Sequence, residues 1–198
     1  MRLLIATTNQ NKVREIRQLL DRIPFDIVTL AEWPLVAAPE ETGLTFEENA
    51  RAKALYYAAA TGELTVAEDS GLAIDALDGA PGVESARYGG AETSYPDKFA
   101  LIYDALRVRH AAADPGPAAR FVCAVVLARG ERVLFETRGT VEGSIAPMPR
   151  GDGGFGYDPI FFYPPYGQTL AEAGDRKAAV SHRGEAFRTL AAFLQSHF

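Results

Sequence analysis

Two β-rich runs late in the chain constrain its fold most. "ARFVCAVVLA" (119–128) and "RVLFETRGTVEGSI" (132–145) are separated only by "RGE", which reads as a β-hairpin. Upstream, strands and helices alternate. Leu3 to Ala6 reads as a short buried strand, and Val13, Ile16, Leu19 and Leu20 then recur at helical spacing, predicting a helix from Lys12 to about Asp21. Phe25 to Leu30 reads as a second strand, and "AEWPLVAAPEETGL", with its prolines and glycine, as a long loop. A second helix opens at a capping box, Thr45 with Glu48, and stops near Gly62. "LTVAEDSGL" reads as a strand running into an acidic turn, and "DGAPGVESARYGG" as a loop. "SYPDKFALIYDALRVRHA" reads as a third helix, and a last helix is expected from Gly184 to about Gln195. Early alternation with a late hairpin predicts an α/β fold with a mixed sheet. There is no repeat and no separable linker, so residues 1–198 read as one domain.

Composition narrows the function. A chain of 198 residues with 47% hydrophobic and 23% charged residues can build one substantial core. Its net charge of -6 argues against a broad nucleic-acid surface, which needs a basic patch. A small polyphosphate, needing only a few local cations or a metal, remains open. The lone Cys123 excludes an intrachain disulfide and reads as a small buried hydrophobe on a strand. No stretch is long enough to cross a membrane and the N-terminus lacks a signal-peptide layout, so the expected location is the cytoplasm.

Four segments carry candidate chemistry. "ATTNQNK" leaves a strand and enters a helix, where free N–H groups and the helix dipole attract anions. Thr7, Thr8, Asn9 and Asn11 add donors and Lys12 a charge, although Thr8, Asn9 or Asn11 could equally serve as the helix cap. The acids Glu40 and Glu41 of "PEETG", and Glu68 and Asp69 of "AEDSG", suit a hard cation bound through oxygen. The histidines His110, His182 and His197 show no zinc spacing, so magnesium is the expected metal. "GDGGFGYDP" offers glycines that allow close backbone approach, with Phe155 as a stacking platform or a core residue. In "RKAAVSHRGEAF", Arg176, Lys177, His182 and Arg183 cluster against the dipole of the helix they precede, which is easier to understand beside an anion. Together these are the parts needed to bind a nucleoside triphosphate with magnesium.

"ATTNQNKVREI", "EETGLTFEENARAKA", "AEDSGLAIDALDGAPGVESARY", "GGFGYDPIFF" and "KAAVSHRGEA" occur in that order along the whole chain. In this the sequence resembles the Ham1/RdgB family of inosine triphosphate pyrophosphatases. The resemblance implies a long twisted mixed sheet flanked by helices, two lobes around a central active-site cleft, and a homodimer. It implies hydrolysis of ITP, dITP and XTP to the nucleoside monophosphate and pyrophosphate, with Mg2+. It assigns Thr7, Thr8, Asn9, Gln10, Asn11 and Lys12 to the triphosphate, with Lys53 facing the phosphates and Ser70 touching substrate. Asp69 becomes the proton acceptor for water and a metal ligand, with Glu40 near the metal. Phe155, Gly156, Tyr157, Asp158, Lys177, His182 and Arg183 become the nucleoside and base pocket. Glu68 stands where many members have a second aspartate, and "GDRKAAV" replaces a more acidic run. Two other readings are a non-catalytic nucleotide-binding regulator on the same fold and a pyrophosphatase for another modified nucleotide.

Overall fold

The computed structural model describes residues 1–109 and 116–198. Seven strands pair in the order β2-β1-β3-β4-β5-β6-β7. They are β1 (Arg2–Ile5), β2 (Asp26–Thr29), β3 (Leu64–Ile74), β4 (Ala118–Arg129), β5 (Arg132–Ile145), β6 (Phe161–Tyr163) and β7 (Gln168–Thr169). β1 runs parallel to both β2 and β3, while β5–β6 and β6–β7 are antiparallel, so the sheet is mixed as expected. The helices are α1 (Gln10–Leu19), α2 (Phe46–Thr61), α3 (Tyr95–Val108), α4 (Lys177–Val180) and α5 (His182–His197). The end of the third predicted helix, at 110–111, lies outside the described residues.

Two compact units share the chain. The first holds Met1–Asp69, Cys123–Gly139 and His182–Phe198; the second holds Ser70–Val122 and Thr140–Ser181. In the first unit, Leu3, Ile5, Leu64, Val66, Cys123, Val125 and Leu127 alternate along their strands onto one core. Ile16 and Leu20 of the α1 segment and Phe187, Leu190 and Leu194 of α5 close that core. In the second unit, Leu72 and Ile74 meet Phe99, Ile102 and Leu106 of α3 together with Phe121, Tyr157 and Phe161.

Local chemistry sets several boundaries where the sequence places them. Thr45 Oγ1 accepts from Glu48 N at 3.1 Å, and Glu48 Oε2 accepts from Thr45 N at 3.2 Å, completing the capping box. Gly62 ends α2 at φ 73°, a conformation that favours glycine. Ser94 caps α3. Two expectations are corrected. The acidic "turn" at Glu68 and Asp69 is the interior of an eleven-residue strand, because both carboxylates find buried partners there. α5 begins at His182 rather than at the expected Gly184, and the short helix α4 (Lys177–Val180) precedes it across the extended Ser181.

Candidate active site

Consecutive strand residues face opposite sides, and this divides the work of Glu68 and Asp69. Glu68 continues the Leu64–Val66 face into the core beside α1 and α5. Its Oε1 pairs with Lys12 Nζ at 2.6 Å, and its Oε2 with Arg183 at 3.2 Å. The Cys123 thiol donates to Glu68 Oε2 at 3.0 Å. Burial alone would raise the Glu68 pKa, yet Arg183, Lys12 and that thiol hold it well below the ordinary glutamate value. Arg183 reaches Glu15 of α1 as well, at 2.8 Å. The carboxylates keep its guanidinium charged against the cost of burial.

Asp69 faces α2. Asn49 and Lys53 are four residues apart on that helix and so share one side of it. Asn49 Nδ2 donates to Asp69 Oδ2 at 3.2 Å, and Lys53 Nζ stands 3.4 Å from Asp69 Oδ1. Lys53 is closer to Glu41, at 2.6 Å. Asp69 is therefore only partly compensated. Burial raises its pKa; Lys53 opposes the rise, and the Glu41 charge adds to it. Burial works to lower the Lys53 pKa, but Asp69 and Glu41 leave it raised, so the ammonium stays charged. Asn49 also ties down the loop before α2, since its Oδ1 accepts from Gly43 N at 2.8 Å. A side chain at Gly43 would collide with Asn49.

The loop from Ile5 to α1 is ordered by its own side chains. Asn9 is the helix cap, its Oδ1 accepting from Asn11 N at 3.0 Å and Lys12 N at 3.3 Å. Thr7 Oγ1 accepts from Asn9 N at 3.2 Å, and Gln10 Nε2 donates to the Thr8 carbonyl at 3.4 Å. This cap leaves the Thr8 and Gln10 N–H groups outside it. The loop is exposed from Thr8 to Asn11. Glu40 is exposed too, and the neighbouring Glu41 is the acid that reaches Lys53.

The second unit builds a separate cluster around Asp158. This carboxylate is 2% exposed; its Oδ2 accepts from Phe155 N at 2.8 Å and from Lys177 Nζ at 2.7 Å. Lys177 Nζ also lies 4.7 Å from the Phe155 ring centroid. Gly154 takes φ 70°, and a side chain there would collide with Asp158 Oδ2. Asp158 thus shapes the glycine loop and holds Phe155 half-buried. Tyr157 is a core residue: it is 3% exposed and donates to the Ser85 carbonyl at 2.8 Å. Ser85 Oγ accepts from Leu72 N at 2.9 Å, which leaves no room for a side chain at Gly71 of "DSGL". Ser70 lies half-buried on β3 beside it.

The first unit therefore gathers Lys12, Lys53, Asp69 and Arg183, and the second gathers Phe155, Gly156, Asp158 and Lys177. His182 is buried in the first unit. Lys177, His182 and Arg183 are buried, each at most 7% exposed.

A family model described as the Ham1 family matches residues 3–193. The chain belongs to the Ham1 family. A dITP/XTP pyrophosphatase of an Exiguobacterium species is 46% identical over 97% of this Ham1 chain and 96% of its own length. A dITP/XTP pyrophosphatase of Thermus thermophilus is 47% identical over 96% of this chain and 90% of its own. Among solved structures, a HAM1 protein from Coxiella burnetii superposes with a TM-score of 0.90 at 38% identity, covering 99% of each chain. The Staphylococcus aureus Ham1 protein gives 0.87 at 33% identity over 100% of each.

Reading the sequence missed Asn49, Glu15, the close role of Glu41, and the Cys123 thiol as a donor. Asn49 carried one signal: it lies one helical turn before Lys53, on the side of α2 that meets Asp69.

Proposed function

We propose that this Ham1 chain hydrolyses ITP, dITP and XTP to the nucleoside monophosphate and pyrophosphate, clearing deaminated purines from the nucleotide pool. The observation that carries the reading is Asp69: a buried carboxylate, raised in pKa, with both oxygens aimed by Asn49 and Lys53. A carboxylate with a raised pKa is a stronger base than an ordinary aspartate. In the reaction Asp69 takes a proton from water as the water oxygen bonds to phosphorus. The bond from that phosphorus to the α–β bridging oxygen breaks, and pyrophosphate leaves with the electron pair. Lys53 offsets charge on the phosphates, as does Lys12 in the first turn of α1. Thr7, Thr8, Asn9, Gln10 and Asn11 hold the triphosphate through hydroxyls, amides and the N–H groups outside the Asn9 cap.

The donors fit a divalent metal. Asp69 offers hard oxygen and is under-compensated, with Glu40 and Glu41 on the loop before α2. Among the described residues no three acids, histidines or cysteines converge as a complete cage. A magnesium ion held by one or two carboxylates, with phosphates and water as its other ligands, matches that donor set. When bound, it would neutralise phosphate charge and acidify water. The role of Glu40 in holding it belongs to this proposal.

Phe155 gives the base a stacking surface, and Gly156 lets it approach. Hypoxanthine and xanthine present a C6 keto oxygen where adenine has an amine. Donors from Lys177 or from the loop N–H groups suit the keto group and leave adenine badly paired. Asp158 serves this pocket by shaping it. Tyr157 backs the loop from the core, and Ser70 lies next to the catalytic aspartate. A homodimer, as the resemblance implies, and the cytoplasmic location expected from the sequence complete the proposal; among the described residues no helix is long and apolar enough to cross a membrane.

Asp69→Asn tests the reading. The variant is expected to keep its fold and its affinity for ITP while kcat falls at least about a hundredfold, the low end for a lost general base. Near-normal pyrophosphate release would remove Asp69 from the reaction. The same variant separates the enzyme from a non-catalytic binder, which would be indifferent to the change.

A further inference from the structure

Tyr95 is the first residue of α3, directly after the Ser94 cap. Its ring stands edge-on to the buried Tyr157 ring, with centroids 5.3 Å apart and planes at 87°. On another side the Lys98 ammonium lies 4.8 Å from the ring centroid. Lys98 is itself fixed, buried with its Nζ donating to the Ala86 carbonyl at 2.6 Å. Despite this support the residue remains 37% exposed. Its hydroxyl lies beside Gly156, where an added Cβ would stand 3.5 Å from it. Among the described residues no partner takes that hydroxyl. A phenol held rigidly by its neighbours, uncovered at a glycine and with its hydrogen bond unspent, is built to receive a ligand. Its rotamer is set before the ligand arrives, so little side-chain entropy is lost on binding. Burial and then the Asp158 charge raise the phenol pKa, so the hydroxyl stays a donor.

We infer that Tyr95 is a further substrate-contacting residue, whose hydroxyl binds the nucleoside end of the nucleotide beside Gly156. The inference rests on the reading of Phe155–Asp158 as the nucleoside side of the site. The alternative role for Tyr95 is to pack the loop from behind.

Tyr95→Phe separates the two, because phenylalanine keeps every ring contact and removes only the hydroxyl. The measurements are kcat and KM for ITP, the affinities of inosine and of pyrophosphate by calorimetry, and the melting temperature. The expected result is a KM for ITP and a Kd for inosine that rise together about fivefold, the loss typical of one hydrogen bond. Pyrophosphate affinity, kcat and melting temperature stay at wild-type values. An unchanged KM and inosine Kd would overturn the inference. So would a weakening shared equally by pyrophosphate, which marks a packing effect. Wild-type protein that releases no pyrophosphate from ITP would overturn the functional reading and this inference together. An active wild type with an indifferent Tyr95→Phe overturns the inference alone.

Discussion

Glu68→Gln removes one negative charge from between two cations. In the wild type Lys12 and Arg183 lie 2.6 Å and 3.2 Å from the carboxylate, whose side chain is 1% exposed. Glutamine keeps the volume but turns an amide N–H group towards one of the cations. Removing one partner of a buried ion pair costs about 3–5 kcal/mol. Lys12 is 17% exposed and can turn to water, and Arg183 retains Glu15, so the low end applies, about 3 kcal/mol. For a chain of this length that lowers the melting temperature by about 6–12 °C. The pH dependence has a fixed sign. The folded-state pKa of Glu68 is depressed, so its contribution is fully present above the unfolded glutamate pKa of about 4.3 and is lost as pH falls through the lower folded value. The stability gap between wild type and variant, followed by urea unfolding from about pH 7 to about pH 3, is therefore constant down to about pH 4.3 and narrows below it. A gap under about 1 kcal/mol at neutral pH, or one that stays level or widens on acidification, would refute the reasoning, since neither fits a buried pair.

Two further outcomes follow from single residues. Gly154→Ala forces a side chain into Asp158 Oδ2 at a positive φ, straining the loop by about 1–3 kcal/mol; KM for ITP is expected to rise about tenfold or more through misplacement of Phe155, and a wild-type KM would free the loop from substrate binding. Cys123 is 0% exposed, and burial followed by the Glu68 charge pushes its thiol pKa well up; iodoacetamide should leave it unmodified in the native protein and alkylate it in denaturant, and stoichiometric native labelling would contradict the described packing.

The parts of this protein legible in its sequence are those decided within a few residues. The Thr45–Glu48 capping box and the Gly62 stop are local chemistry, and the structure repeats them. The hairpin of β4 and β5 is legible because its runs are long and its turn is short. Glu68 and Asp69 misled because a pair of acids reads as a solvated turn. What makes them a strand interior is Lys12, Cys123 and Arg183 around Glu68 and Asn49 and Lys53 beside Asp69, none of them a near neighbour in sequence. Asn9 settles the choice left open for the first loop: it caps the helix, and the remaining polar groups there are free of that duty. The resemblance places Asp158 in the base pocket without saying what it does there, and its bonds to Phe155 N and Lys177 favour a role in shaping the loop. Asn49 shows the opposite failure, a buried polar residue hidden in an ordinary helical run.

The most direct measurement incubates the purified protein with ITP, XTP, GTP and ATP, with and without magnesium, and quantifies pyrophosphate and orthophosphate separately. The account predicts magnesium-dependent pyrophosphate from ITP and XTP, with little from GTP or ATP. Orthophosphate in place of pyrophosphate, or no release from ITP and XTP, would contradict it.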